Sequence, residues 1–217
     1  MKKQVILILT FLLATILCFG QKEHLEPAKD FNEYEGVLKE YYNNVFPLLY
    51  GSFSKKPYAR YTSMPSFSAE YAFSVEKIGE QNYIISNKLS ESFWYAGFNK
   101  KGNINNKRRN RVIVSTTKTE INNDLYLKIG ELFELLANQT KVYEKDWLGF
   151  DGVIYYFATT KINGEIKIGQ TWSPNKGSLL DRLVKICDNL YLGGVENNID
   201  QSEIIKEIAM LINDLKE

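Results

Sequence analysis

Two β-rich runs joined by an Asn-Gly pair constrain this chain more than any other local pattern. Val153 to Ile162 and Glu165 to Trp172 are rich in β-branched and aromatic residues, and Asn163-Gly164 separates them. Asn-Gly supplies the two positive φ angles that a type I′ turn requires. The sequence therefore predicts an antiparallel hairpin over these two runs.

Three further regions show the features of strands. Residues 71–75 alternate aromatic or β-branched side chains with small or polar ones. Residues 83–85 and 92–98 are predicted to form one long or two short strands, and residues 111–119 are predicted to form another. Residues 50–67 have no clear period and are predicted to be loop. Together with the hairpin, these regions predict a sheet of about five strands.

Four segments repeat apolar residues at three- and four-residue spacing, as amphipathic helices do. Pro47 lacks a backbone N–H, so the first helix is expected to end near it. Gly193-Gly194 is expected to end the third helix in a left-handed cap. Each helix is preceded by a side chain suited to capping its first turn: Asp30, Asn122 or Asn123, Ser178 and Asp200.

The predicted order of elements is α-βββ-α-ββ-α-α. Antiparallel hairpins with segregated helices are typical of the α+β class, in which helices pack on an antiparallel sheet. This order is similar to that of the type III secretion chaperones and of YbjN-like proteins. The resemblance lies in element order and involves no motif, so it implies a fold and transfers no functional residue.

The N-terminus has the features of a cleavable secretory signal at residues 1–20. Lys2 and Lys3 precede an uncharged run from Val5 to Phe19, which is shorter than the roughly 20 residues of a membrane span. Cleavage before Gln21 would leave a tether at residues 21–29 and a single α+β domain at 30–217. Two alternatives are lipidation at Cys18 and a retained membrane anchor. We expect an exported bacterial protein, periplasmic or extracellular, with no membrane span after cleavage.

Composition excludes several classes of function. Loss of Lys2 and Lys3 with the leader leaves 25 basic residues against 26 acidic ones, a net charge of −1. This balance provides no global attraction to nucleic acid. Cys187 would be the one remaining cysteine, so no intramolecular disulfide could form, and its place in an apolar helical stripe predicts a buried small side chain.

The histidine content argues against two common kinds of catalysis. His24 is the only histidine and lies in the predicted tether. Ser-His-Asp and Cys-His nucleophilic catalysis each need an imidazole to accept the proton. A zinc site needs three or four N or S ligands, which this chain does not supply. Phosphate-binding glycine loops are also missing from the sequence, and we predict no metal and no cofactor.

Aromatic residues offer the first candidate binding surface. Phe93-Trp94-Tyr95 and Tyr155-Tyr156-Phe157 would place aromatic rings on both faces of strands. One face belongs to the core, and the other could bind sugar or protein because Trp and Tyr combine a flat apolar body with a polar tip. We select Trp94 and Trp172 as binding candidates. The alternative is that helices cover both faces of the sheet.

A basic loop offers a second candidate surface, centred on Lys107, Arg108 and Arg109. An anion site would bind phosphate, lipopolysaccharide or an acidic partner there. The alternative is an ordinary solvated loop. The cations of this loop are Lys100, Lys101, Lys107, Arg108, Arg109 and Arg111.

Three neighbouring acids, Glu144, Asp146 and Asp151, are candidate catalytic residues. They lie near Trp147 and Phe150, and paired carboxyls beside an apolar wall can hydrolyse glycosidic bonds. The alternative is that they solvate a loop and form turns. A facing pair about 5–9 Å apart would favour the enzyme.

These observations favour a non-catalytic binding or interaction domain in the cell envelope, with a protein or an envelope glycan as its partner. A small carboxylate-based glycan hydrolase and a structural subunit of an envelope assembly are the alternatives.

Overall fold

The structure, a computed structural model, describes residues 24–97, 106–143 and 151–217. The predicted leader at 1–20 lies outside these residues. Within them, seven antiparallel strands form one sheet in the order β1-β7-β6-β2-β3-β4-β5. The strands are β1 (Glu26–Pro27), β2 (Ala59–Pro65), β3 (Tyr71–Ile78), β4 (Gln81–Leu89), β5 (Val114–Ile121), β6 (Val153–Thr160) and β7 (Ile166–Trp172).

The described residues also form a 3-10 turn at Phe31–Glu33 and six α-helices. Helices α4 and α5 pack on one face of the sheet, α6 packs against these two helices, and α1 covers part of the other face. The helices are α1 (Gly36–Leu49), α2 (Phe93–Gly97), α3 (Asn106–Arg109), α4 (Asn123–Gln139), α5 (Leu179–Glu196) and α6 (Gln201–Lys216).

The predicted α+β class is confirmed, but the predicted five strands are too few. The sequence interpretation missed β2, the strand between β6 and β3. Almost every residue of β2 is buried, including Arg60, Thr62 and Ser63. Buried polar residues remove the alternation by which a strand is recognised. The element order on which the resemblance to known families rested therefore differs from the observed order.

The sheet also includes part of the segment predicted to be a tether. Leu25 is buried against Gly169, where a Cβ atom would lie 2.9 Å from the Leu25 Cβ. Glu26–Pro27 pairs with β7 as strand β1. Residues 25–27 are thus part of the folded sheet.

Helix α1 ends two residues after Pro47, near the predicted place, whereas the predicted end of α5 is wrong. Helix α1 continues through Pro47 to Leu49, whose side chain is fully buried. Helix α5 continues through Gly193 and Gly194 to Glu196, and Asn197 provides the left-handed cap with a φ of 53°. Here the glycines permit close packing of the helix rather than ending it.

Within the segment 92–98 that was predicted to be strand, Phe93–Gly97 form the short helix α2 instead, and residue 98 lies outside the described residues. The hairpin at Asn163-Gly164 is confirmed, but its turn is not type I′. Gly164 has a φ of 83°, whereas Asn163 has no positive φ. The Gly164 N–H donates to the Lys161 carbonyl at 2.8 Å, and the turn closes with a Lys161 to Glu165 backbone bond.

The predicted caps of the three long C-terminal helices are confirmed. Asn122, Ser178 and Asp200 each accept a hydrogen bond from a backbone N–H of the first turn. Such caps satisfy donors that otherwise lack partners. In the described part of the chain no helix is long and apolar enough to cross a membrane.

Candidate functional site

A concave surface lies beside α1, between the ends of β2 and β6 and helix α2. Its volume is about 370 Å³, and most of its lining is aromatic or aliphatic. We call it the aromatic cleft. It is lined by Leu38, Tyr41, Tyr42, Met64, Pro65, Ser66, Phe67, Trp94, Tyr95, Asp151 and Ile154.

The inner wall of the cleft joins α1 to α2 through aromatic packing. The rings of Tyr41 and Trp94 meet edge to face with centroids 5.3 Å apart, and Tyr41 also contacts Phe93 at 6.2 Å. Edge-to-face pairs at such distances are favourable beyond the area that they bury. The half-buried Trp94 is therefore held in a defined position and still lines the cleft.

Glu70 supports this wall from inside the molecule. Its side chain is fully buried. The Tyr41 hydroxyl donates to Glu70 Oε1 at 2.6 Å, and the Phe93 backbone N–H donates to Oε2 at 2.8 Å. Burial raises the pKa of Glu70, and these hydrogen bonds oppose that rise. One carboxylate thus fixes α2 and its tryptophan relative to α1.

The mouth of the cleft carries exposed aromatic rings. Phe67 is 67% exposed and Tyr95 is 46% exposed, and their rings are stacked at 6.4 Å. Aromatic side chains exposed at a concave site are common anchors for ligands. These two rings extend the apolar surface of Trp94 toward solvent.

Polar groups line the opposite side of the cleft. Ser66 and Gly152 exchange two hydrogen bonds, Ser66 N–H to the Gly152 carbonyl at 2.9 Å and Gly152 N–H to Ser66 Oγ at 3.2 Å. These bonds hold Asp151, which is exposed, at the cleft beside the residue 65–67 segment. The cleft therefore offers a carboxylate and a hydroxyl next to its aromatic rings.

Trp172 lies next to the cleft rather than in it. It is the cross-strand partner of Ile154, a lining residue, so both side chains are on the α1 face of the sheet. The indole packs over Gly152, where a Cβ atom would come within 2.6 Å of its Nε1 atom. Trp172 is 39% exposed. The two predicted tryptophans thus lie on the same side of the sheet.

The three predicted basic residues are on α3, and they have different environments. Arg109 is 6% exposed, forms an ion pair with Glu40 at 2.6 Å and places its guanidinium 5.2 Å from the Phe93 ring centre. Arg108 is exposed and pairs with Glu91 at 2.7 Å. Lys107 is exposed. Arg109 therefore joins α3 to α1 and α2. Lys107 and Arg108 are the basic residues of α3 that face solvent.

Of the three candidate catalytic acids, the structure describes Asp151. Glu144 and Asp146 lie outside the described residues, as do Lys100 and Lys101. Asp151 is the single carboxylate among the described residues that line the aromatic cleft. In the described chain, no group of three or more His, Cys, Asp or Glu side chains could hold a metal ion.

A second, partly buried carboxylate lies on the other side of the sheet. Asp188 of α5 accepts hydrogen bonds at Oδ1 from the hydroxyls of Tyr61 and Tyr71, at 2.7 and 2.8 Å. Burial raises the pKa of Asp188, while the two hydrogen bonds lower it. The neighbouring Cys187 is fully buried, as predicted. This cluster ties α5 to β2 and β3.

Sequence reasoning missed several residues that form the cleft. Phe67 lies in a segment predicted to be loop, and Glu70 has no sequence signal of its own. Tyr41 and Tyr42 were placed correctly on a helix, but as part of a core stripe. Tyr41 and Tyr42 line the cleft because α2 and the end of β2 lie beside them in the folded protein.

Comparison with known proteins finds no matching family model, no matching curated protein and no matching solved structure. The fold and the cleft define this chain as an α+β protein with an aromatic-lined cleft on one face of its sheet.

Proposed function

We propose that this chain is an exported, non-catalytic binding protein of the cell envelope whose aromatic cleft holds a glycan chain. The observation that supports this most is the cleft itself. Trp94, Tyr95 and Phe67 surround a concavity of about 370 Å³ that also presents Ser66 and Asp151. The exposed surface of the cleft is about half polar, and polar groups that converge beside aromatic rings are typical of ligand-binding pockets.

The chemistry of the lining favours a sugar over an ionic ligand. A sugar ring has apolar C–H faces that can lie on aromatic rings, and hydroxyl groups that can donate to a carboxylate. The described lining holds one acid and no base. An anionic ligand would therefore meet no cation among the described lining residues, whereas a neutral glycan needs none and can donate a hydroxyl to Asp151.

The proposal is tested by titrating soluble envelope oligosaccharides into the protein and measuring heat and tryptophan fluorescence. We expect saturable binding by the wild type and at least a tenfold loss of affinity in Trp94→Ala. Trp172→Ala should weaken binding less, because Trp172 lies beside the lining residues. Tyr83→Ala, an aromatic change on β4 away from the cleft, is the control. Equal affinity in Trp94→Ala and wild type would reject the proposal.

Asp151 supports a second candidate, a carboxylate-based glycan hydrolase. It lies in the cleft where a bound sugar would contact it. The same oligosaccharides, incubated with the protein and analysed for shorter products, separate the two functions. Cleavage by wild type that is lost in Asp151→Asn would favour the hydrolase, and intact oligosaccharide would favour binding alone.

A further inference from the structure

A second cavity lies on the α1 side of the sheet, under residues 50–57. Its volume is about 130 Å³. Apolar side chains of β6, β7 and the 3-10 turn form most of its wall, and Arg60 and Lys55 contribute cations. It is lined by Phe31, Tyr50, Lys55, Pro57, Arg60, Thr62, Tyr156, Ala158, Ile166 and Ile168.

Arg60 is the unusual member of this lining. It is 7% exposed, and its guanidinium stacks 4.5 Å from the Tyr50 ring centre and 5.2 Å from that of Phe53. Its Nη2 donates to the Ser54 carbonyl at 2.5 Å. Its Nε atom is buried without a hydrogen-bond partner. A buried cation with an unused donor is costly unless something pairs with it.

The residues that the structure describes supply no ion-pair partner for Arg60. Glu76 is near enough to influence it electrostatically, but Glu76 Oε1 accepts from the Ser54 N–H at 3.0 Å and from Ser74 Oγ at 2.6 Å. The Arg60 guanidinium remains charged at neutral pH because its ordinary pKa is far above 7.

We propose that this cavity binds a small carboxylate with a short apolar tail, which we call the Arg60 site. The carboxylate pairs with Arg60, and the exposed Lys55 provides a second cation at the opening. A planar guanidinium matches a carboxylate, and the aliphatic wall suits an alkyl chain. Inorganic phosphate has no alkyl chain to occupy the aliphatic part of this wall.

The size of the cavity limits the ligand. An apolar cavity of about 150 Å³ accommodates benzene. Butyrate has the same number of non-hydrogen atoms as benzene, so it is a suitable probe for this cavity of about 130 Å³. The Arg60 site shares no lining residue with the aromatic cleft and does not depend on the glycan proposal.

The test is titration of sodium butyrate into the full protein at constant ionic strength, followed by calorimetry and by the ¹H–¹⁵N signal of the Arg60 Nε–H. We expect saturable binding, a shift of that signal, and at least a tenfold affinity loss in Arg60→Gln. Lys55→Gln should weaken binding several-fold. Lys56→Gln, which removes the same charge from the same segment outside the cavity lining, should bind as wild type does.

Three outcomes would overturn the assignment. The first is the absence of saturable butyrate binding and of a shift in the Arg60 signal in the wild type. The second is a folded Arg60→Gln protein that binds butyrate as tightly as the wild type. The third is binding of inorganic phosphate or 1-butanol as tight as that of butyrate. This would show that the site does not require a carboxylate and an alkyl chain in the same ligand. The Arg60 signal needs no variant, so the test stands even if Arg60→Gln fails to fold.

Discussion

At the level of single residues, the buried carboxylate of Glu70 connects parts of the aromatic cleft that come from distant segments. It accepts hydrogen bonds from Tyr41 of α1 and from the backbone of Phe93 in α2. A backbone N–H that loses its acceptor inside a protein costs about 1–3 kcal/mol. The position of Trp94 therefore depends on a residue that does not contact the cleft surface.

We predict that Glu70→Gln lowers the free energy of unfolding by about 1–3 kcal/mol. The glutamine oxygen can still accept from Tyr41, but its amide nitrogen cannot accept from the Phe93 N–H. Urea denaturation measures the loss, and a shift in tryptophan emission would report movement of Trp94. Glu80→Gln, in the exposed β3–β4 turn, is the control. Equal stability of Glu70→Gln and wild type would contradict this role.

Asp188 provides a prediction about pH. Burial raises its folded pKa above the ordinary value of 3.8, so the folded state holds the proton more tightly than the unfolded state. The proton on Asp188 therefore stabilises the folded state. This stabilisation is complete below the pKa that Asp188 has in the unfolded chain, and it is lost as pH rises through the pKa that Asp188 has in the folded protein.

In Asp188→Asn this pH-dependent contribution should disappear. Tyr61 and Tyr71 both donate to Oδ1, an atom that asparagine retains. We therefore expect the variant to be at least as stable as wild type at pH 7 and to lack the decline above about pH 4. Urea denaturation at several pH values gives the difference between the two proteins. A difference that does not change with pH would contradict the prediction.

At the level of elements, Gly194 shows why α5 does not end where its glycines suggest. A Cβ atom at this position would lie 2.6 Å from Ser86 Oγ and 3.1 Å from Ile84 Cγ2. The Thr119 hydroxyl donates to the Gly194 carbonyl at 2.8 Å. The glycine allows the helix to approach β4 and β5 closely enough to bury its apolar face.

We predict that Gly194→Ala destabilises the protein by about 1–3 kcal/mol, because overpacking outweighs the gain in helix propensity. Ser86→Ala removes the nearest atom and should recover much of the loss. A double-mutant cycle by thermal denaturation measures the coupling. Asn189→Ala, at an exposed site on the same helix, is the control. Strict additivity of the two changes would exclude the contact as the cause.

At the level of the whole molecule, unequal coverage of the sheet leaves room for the aromatic cleft and for the Arg60 site. Seven strands spaced about 4.8 Å apart span about 29 Å, whereas one helix is about 10–12 Å wide. Helices α4 and α5 pack on one face with α6 against them, and α1 is the main helix on the other. Both the aromatic cleft and the Arg60 site lie on the α1 face, where space remains beside the helix.

Export is a prediction about the whole chain. If residues 1–20 form a cleavable leader, the full sequence expressed in a bacterium should yield a mature protein that begins at Gln21. Mass spectrometry of the purified protein gives the N-terminus directly. Lys3→Glu, which reverses a charge of the leader, should reduce processing, and Lys22→Glu should not. A mature protein that retains residues 1–20 would contradict export by this route.

Local interactions determined much of the secondary structure from the sequence alone. The hairpin, the apolar stripes of α1, α4, α5 and α6, and the caps at Asn122, Ser178 and Asp200 all depend on residues a few positions apart. These patterns were sufficient for the α+β class. They also placed Trp94 and Trp172 among the candidate binding residues, because aromatic side chains can be identified without a structure.

Only the tertiary structure decided the position of β2, the continuation of α5 through its two glycines, and the assembly of the aromatic cleft. Each depends on burial among residues distant in the chain, such as Gly194 packed against Ser86 or Glu70 between Tyr41 and Phe93. Burial changes the stability of a local conformation by as much as a cap or a turn does. No local pattern records that contribution, so the sequence alone could not show where the cleft forms.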